Sequence, residues 1–591
     1  MTSPGMVGAD AYVFGGAPPA SERQVVESLV AQMDFHRQSM LPWFRDLGAF
    51  FSPRAPRIDI HKENKGNSLN RHILDETAIY ARRTLTSGLS WGITNPSRQW
   101  KALTVTDAEL AEQQSVKDWL YTVNERMDAV LSRSNFYRTM TGVYDDSIIF
   151  ANAAFLVEED DEDVIRCVPF GVGSYAIADD AKGNVAAFCR FFIMPVRQMA
   201  ERFGTVNGKP SDRMFSQRVK DAIRNKRWED KIEIVHVICP NEDYDGVRDT
   251  PDAKRFASYY YEQGARPLDS AAQFLAKEGY SEWPIMMFRW RRVPDDPWGI
   301  DCPAMSILGT NKSAQKMESK ALKLVDKAVD PALVGPTSLQ NKRVSLLPGD
   351  ITTDDDRDKQ LRPIHEVQLA GLQAVSLKQE ELRSRIHDAF YTRLMTFVLS
   401  TLNAGGNRTA TEIQELSNEK YLVLGNVMET WNETLSQLVD RVFAIMLRRG
   451  FIPDAPKELQ GVALKVEYTS VFAQAQKVVG LQNIERFLGS VANLMQMTQD
   501  PSIGLKVDWE QAVDEISQRS GIPPRVVRSD ADVAAIRSAQ AESQRAMQAA
   551  EQAQLEADAA SKLAGADTSG KNALTDLMAA GGQALTQVGG L

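Results

Sequence analysis

A run of roughly forty residues, with a start signal, a stop signal and no proline between them, constrains this chain more than any other stretch. Thr409 stands where it can cap a helix and Glu412 follows three residues on, the reciprocal pattern in which each side chain satisfies a free backbone N–H. At the far end Arg448 and Arg449 suit the negative terminus of a helix, Gly450 supplies a left-handed residue, and Pro453 forbids continuation. At 1.5 Å per residue the rod is roughly 60 Å long. Most globular domains have no use for a rod of that length, whereas the wall of a large assembly does.

The stretch upstream reads as a stalk. Gly405 and Gly406 stand side by side within Leu399–Arg408, which predicts a mobile loop. Before it, Ser376 with Gln379 reads as a capping box opening a helix with Leu382, Ile386, Ala389 and Phe390 on one side. Between Pro331 and about Val375 lie Pro331, Pro336, Pro348, Pro363 and a strand-like run at Val344–Leu347, a small lobe of its own. The other limb, Ala304–Val329, is helical. At 100° per residue Lys312, Lys316, Lys320, Lys323 and Lys327 fall within an arc of roughly 80°, and Met317, Ala321, Leu324, Val325 and Ala328 cluster opposite. One face is cationic and the other packs. Such a stripe is more often solvated, or paired with carboxylates of a neighbour, than turned toward nucleic acid.

The 591 residues, 43% hydrophobic and 25% charged, suit several folded lobes. The fold class is mixed α+β, predominantly helical. Ser21 and Gln24 open a first helix with Val25, Val26, Leu29, Val30 and Met33 on its apolar side. A second helical run, Ile73 to about Leu85, leads into Ser87–Pro96, whose glycines and proline mark a turn. From about Ala108 to Phe155 the pattern is helical, interrupted at Asn135–Tyr137. Between Leu156 and Phe288 the period shortens, with strands at Val185–Ile193, Ile232–Ile238, Tyr259–Tyr261 and Ile285–Phe288 and one helix at Val196–Phe203. Beyond the long rod come a strand at Val462–Tyr468, helices near Lys477–Met497 and Trp509–Arg519, and an Ala/Gln/Glu-rich helix from Val533 to about Leu563. The last is too poor in large apolar residues to build a core alone. The start of the chain reads as a loose arm and the end, after Gly565, as a disordered tail.

The formal net charge of -10 argues against a surface built to grip DNA, a task that needs clustered cations. The four cysteines, Cys167, Cys189, Cys239 and Cys302, include no short-spaced pair, and every apolar run is broken before it could cross a bilayer. No phosphate-binding Gly-x-x-x-x-Gly-Lys loop and no His-Glu-x-x-His occurs. Gly88-Leu89-Ser90-Trp91-Gly92 fits the esterase elbow by letter, but a helix precedes it where a strand is required, so a plain turn is expected. His36, His61, His72, His236, His365 and His387 are scattered and read as ordinary surface or core histidines. The acidic run Glu158–Asp163 reads as a solvated hairpin tip rather than a metal site. No cofactor, metal or catalytic constellation is expected.

In their order, several residue groups resemble the portal proteins, or head-to-tail connectors, of short-tailed bacteriophages. They are Leu85–Trp100, Val168-Pro169, Tyr175–Asp179, Arg197-Gln198, Arg202–Gly204, His236 with Pro240, Arg289-Trp290, Trp298-Gly299 with Pro303, Thr409–Glu412, and Ala473–Lys477. The resemblance covers roughly residues 20 to 530. One departure is Ala151, where the family pattern calls for glycine. The resemblance implies a ring, usually of twelve subunits, at one capsid vertex, through which double-stranded DNA is pumped by terminase and later ejected. It implies partners in the terminase large subunit, neck and tail adaptors, and capsid and scaffolding proteins, with no membrane, and a virion location after assembly in the host cytoplasm. It lays out an arm (1–19), a wing (20–303), a first stem helix (304–330), a clip (331–375), a second stem helix (376–398), a channel loop (399–408), the long wing helix with a return strand (409–476), a crown with C-terminal helix (477–564) and a tail (565–591). Asn403, Gly405, Gly406, Asn407 and Arg408 are the expected DNA contacts of the channel loop, and the lysine stripe faces either the channel or a neighbouring subunit. Another ring-forming virion component, such as an internal core or ejection protein, and less readily a nucleic-acid enzyme, are the rival readings.

Overall fold

The structure is a computed structural model, which describes residues 22–53, 58–60, 71–97, 99–107, 113–206, 209–210, 215–248, 253–264, 274–335, 362–363, 369–396, 410–459, 464–468, 486–497, 506–509, 511–513 and 530–564, with a few single residues besides. Met1–Glu112 with Trp119–Gly489 form one compact unit, and Gln113–Asp118 with Ser490–Leu591 another.

The larger unit is built on a five-stranded antiparallel sheet. Its strands are β4 (Tyr175–Asp179), β5 (Val185–Pro195), β6 (Lys231–Pro240), β7 (Phe256–Glu262) and β8 (Ala276–Tyr280), in the order β8-β7-β6-β5-β4. Side chains alternate across a strand, and β6 uses both faces. Val235 and Val237 meet Val26, Val30 and Met33 of helix α1 (Glu22–Phe51). Ile232 and Ile234 meet Val196, Met199 and Phe203 of α5 (Val196–Phe203) and Val219 and Ala222 of α6 (Gln217–Arg224). Burial on both faces explains why these strands read as unbroken apolar runs. Within α1 the buried face is narrower than its pattern suggests: Val25 is exposed and Leu29 only half-buried.

A second sheet, order β9-β2-β3, joins β2 (Asn152–Asp160), β3 (Val164–Phe170) and β9 (Ile285–Arg289). Two helices precede it, α3 (Gln114–Arg133) and α4 (Phe136–Phe150), with the break at Asn135 as the sequence indicates. The helical reading to Phe155 overruns, because α4 stops at Ala151, which adopts φ 60 and returns its N–H to the Ser147 carbonyl, 3.0 Å away. A left-handed alanine carries the Cβ penalty that glycine escapes, which accounts for glycine as the expected residue there. The same turn is crowded from outside. The Ala151 carbonyl accepts from Trp290 N, and a Cβ on Gly299 would stand 2.5 Å from it, so only glycine fits at Gly299.

Helix α2 (Thr77–Ile93) corrects a second expectation. The Ser87–Pro96 stretch does not turn at its glycines; the helix runs through Gly88 and Gly92 to Ile93. Gly88 is there for close approach. Met395 lies on it so tightly that a Cβ would come within 2.3 Å of Sδ and 3.0 Å of the Met395 Cβ. Helical Ser90 is therefore no nucleophile elbow, and its buried hydroxyl has no hydrogen-bond partner.

The stalk is made of α7 (Pro303–Val329), with Pro303 preset for a first turn, and α8 (Leu369–Ala389). Ser376 does not cap α8, which starts seven residues earlier, so Ser376 is interior and Gln379 donates to Glu318 on α7 instead. Nor does α8 continue unbroken to residue 398: it ends at Ala389, Tyr391 turns left-handed at φ 51, and residues 392–396 form a further helical piece. Of the small lobe only an antiparallel pairing of Leu333–Val334 with Arg362–Pro363 is described, so the strand expected at Val344–Leu347 lies outside the described residues. The loop Leu399–Arg408 and the caps Ser21 and Thr409 lie outside them too.

The rod is α9 (Ala410–Arg448), 39 residues. It closes as its sequence indicates. Gly450 has φ 70, its N–H reaches the Leu447 carbonyl at 3.1 Å, and Phe451 N reaches the Met446 carbonyl at 2.9 Å, a complete Schellman cap. β10 (Leu464–Tyr468) then returns to pair antiparallel with β1 (Lys101–Val105). The smaller unit contains α10 (Asp530–Ala564), along which Ile536, Met547 and Leu555 are exposed.

Gly88→Ala should lower stability by about 1–2 kcal/mol, although alanine alone would favour a helix by about 1 kcal/mol, because overpacking against Met395 outweighs propensity. In a Met395→Ala background the same change should become neutral or stabilising, which denaturant unfolding of the four variants in a double-mutant cycle will read.

Candidate functional site

Two constructions stand out: the root of the stalk and the bed of the long helix. At the root, Gln315 sits among apolar neighbours on the inner side of α7. Its Oε1 accepts from the backbone N–H of Leu74 (2.7 Å) and Asp75 (2.9 Å), and its Nε2 donates to the Asp75 carbonyl (2.7 Å) and Asn311 Oδ1 (3.1 Å). Asp75, nearly buried, accepts from Thr77 N and from Arg383 Nε of α8, each at 2.8 Å. Burial by itself would raise the Asp75 carboxyl, but the bonds from Thr77 and Arg383 outweigh it and hold the group below its ordinary value. Arg383 also pairs with Glu318 at 3.4 Å, and Lys312 pairs with Asp46 of α1. Phe390 meets Phe51, ring centroids 5.9 Å apart. Both limbs are thus fixed to α1 and to the entry of α2.

Beyond the root the stalk leaves the body. Ala304, Ile307, Asn311, Ala314 and Gln315 are buried, whereas Met317, Ala321 and Leu324 are half-covered and Val325 and Ala328 exposed. The packing face read from the sequence is therefore covered only near its base. On the opposite side Lys312 is taken by Asp46, while Lys316, Lys320, Lys323 and Lys327 are exposed and make no ion pair with a described carboxylate. The channel-loop candidates Asn403, Gly405, Gly406, Asn407 and Arg408 lie outside the described residues.

The long helix is bedded by side chains that reach backbone. Trp431, fully buried, donates from Nε1 to the Arg289 carbonyl at 3.0 Å, and Thr434 donates to the Met287 carbonyl at 3.1 Å. Arg441, with 3% of its side chain exposed, donates to the carbonyls of Val157 (2.9 Å) and Glu282 (3.1 Å) and to the Glu282 carboxylate (3.3 Å). Arg448 then binds Glu159 and Glu282, and Arg449 binds Asp161. The acidic run is a hairpin tip, as expected, yet it is not merely solvated: it neutralises the cationic end of α9. Asp160 keeps its carboxyl low through the backbone N–H groups of Asp163 and Glu162. No group of three or more metal-ligating side chains occurs among the described residues, and no described helix is long and apolar enough to cross a membrane.

Some of the resemblance groups, scattered in sequence, meet in space. Asp179 accepts from Arg289, one bond at 2.7 Å. Gly299 exchanges bonds with Asn152, and Trp290 stands edge-on to Trp431 at 5.7 Å. His236 stacks on Tyr260 with ring centroids 3.9 Å apart and shares a 2.9 Å hydrogen bond with Ser258; burial, then Arg190 and Arg202, keep it neutral, with its pKa well below the ordinary value. It is a core histidine. The cysteines are free, and burial pushes the Cys167 and Cys302 thiols up to about 12, so they are inert as nucleophiles. Sequence reading missed Gln315 and Arg441; the available signal was a polar residue inside an otherwise apolar helix face, which spacing does not pair with a partner.

A family model described as "Bacteriophage head to tail connecting protein" matches residues 23–527. The chain is 35% identical over 565 residues to the portal protein of Salmonella phage epsilon15, covering 95% of this chain and 99% of that one. It is 31% identical over 560 residues to the probable portal protein of Bordetella phage BPP-1, covering 94% and 98%. Among solved structures, a chain from the neck of an empty gene transfer agent particle aligns at 9% identity with a TM-score of 0.34, covering 69% of this chain and 85% of that one, which is too distant to place residues.

Arg441→Met should destabilise by about 2–4 kcal/mol, since it strands two carbonyls and removes a buried ion pair, whereas Arg448→Met on the surface should lose less than about 1 kcal/mol. Because the folded pKa of Asp75 is depressed, its contribution is complete above the unfolded carboxylate pKa and is lost as pH falls through the folded value. The stability gap between the natural protein and Asp75→Asn should therefore be constant above about pH 5 and shrink in more acid solution, as chemical denaturation across pH will measure.

Proposed function

We infer the role of this chain from the family it belongs to, the bacteriophage head-to-tail connecting proteins, or portal proteins: it is a structural connector of the virion, joining head to tail, and not an enzyme. The observation that carries the reading into mechanism is the stalk, bolted to the body at its root and, among the described residues, only partly covered beyond it. A helical hairpin that cannot bury its own face finds cover in further copies of itself.

In this reading copies close into a ring, of twelve by family resemblance, at one vertex of the capsid. Residues 22–302 and the long helix form the wing, α7 and α8 the stem, residues 331–368 the clip contacted by terminase and neck proteins, and residues 477–564 the crown. Genomic DNA passes through the lumen. Twelve copies at -10 each carry -120, which suits a conduit that must not hold its cargo, because every fixed phosphate contact is a trap for a moving duplex. The long helix, clamped along its C-terminal half by Trp431, Arg441 and Arg448, gives residues 399–408 a rigid support from which Asn403, Asn407 and Arg408 touch DNA transiently.

Electron microscopy of the purified protein should show rings with a central lumen; compact monomers would refute the reading. Deleting Gly405 and Gly406 should leave those rings intact and reduce DNA retention in packaged particles severalfold, and normal packaging would remove the loop from the mechanism.

A further inference from the structure

A closed ring needs two different faces on each subunit, because neighbours meet head to tail rather than by the same patch. The stem hairpin carries two such faces. On α7 the side turned to α8 bears Glu318, and Lys316 and Lys320 each point roughly 160° away from it. On α8 the side turned to α7 bears Gln379 and Arg383, and Glu380 and Asp388, both exposed, point roughly 120° away on average. One outer edge of the hairpin is basic and the other acidic.

The heights agree as well. Gln379 and Arg383 both reach Glu318, so in the antiparallel hairpin Lys316 and Lys320 lie level with Arg383 and Gln379, bracketing Glu380. Rotation about a ring axis keeps equal heights opposed. We propose that Lys316 and Lys320 of one copy dock against the acidic edge of the next, marked by Glu380 and Asp388, so that the lysine stripe closes the ring instead of lining the path of DNA. This rests on the ring reading above.

The test uses two full-length variants, Lys316→Glu with Lys320→Glu, and Glu380→Lys with Asp388→Lys. Each alone opposes like charges at every joint and should need at least a tenfold higher concentration to assemble, with thermal unfolding of the subunit unchanged. Mixed in equal amounts, they restore opposite charges at every joint. Native mass spectrometry should then show rings of even subunit number holding both variants equally. Lysine variants that form normal rings by themselves but package DNA poorly would overturn the proposal and turn the stripe toward the duplex. Failure of the mixture to assemble would overturn it too. Absence of rings in the unaltered protein would instead defeat the ring reading on which it stands.

Discussion

The burial of Trp431 is the contact on which the larger unit depends. Its ring lies 5.3 Å from Tyr144 of the central helix α4, 6.0 Å from Phe288 and 5.7 Å from Trp290, and its N–H satisfies the Arg289 carbonyl at the end of β9. Aromatic side chains bury the most apolar area per residue, so one tryptophan here ties the long helix, the three-stranded sheet and α4 into a single body. From α4 the aromatic contacts run on through Phe150 and Phe44 to Trp298 and Tyr175, reaching α1 and the five-stranded sheet. A long helix is an effective lever only if one half is immovable, and this contact, with Arg441, makes it so.

Charge is used differently at the two ends of the molecule's mechanical parts. Arg441 and Gln315 are buried: Arg441 donates to backbone carbonyls, and Gln315 donates to one carbonyl and accepts from two backbone N–H groups, where an unmatched partner is expensive and the geometry is therefore specified. The cations farther out, Arg448 at the end of the rod and Lys316 to Lys327 along the stalk, are exposed, where pairing contributes little to stability.

Histidine, cysteine and serine, the residues that most often carry chemistry, have structural explanations here. His236 is a stacked core ring, Cys167 and Cys302 are buried thiols, and Ser90 belongs to a helix pressed against Met395. A connector needs shape and compliance, and its polar side chains are accordingly committed to caps, roots and clamps.

Local signals in the chain determined the long helix with its glycine stop, three of the five strands of the central sheet, the acidic hairpin tip and the family, because capping chemistry, side-chain period and short ordered motifs are properties of neighbours in sequence. They misjudged Gly88 as a turn residue and Ser376 as a cap, since a helix passes through a glycine or over a serine when another element packs there. Tertiary structure alone decided that Asp179 finds Arg289, that Gln315 finds Asp75, and that Lys312 is the member of the lysine stripe that pairs with a carboxylate among the described residues. Those pairings join residues tens to hundreds of positions apart. Such contacts are selected by the free energy of the whole packed body, which no window of the sequence contains.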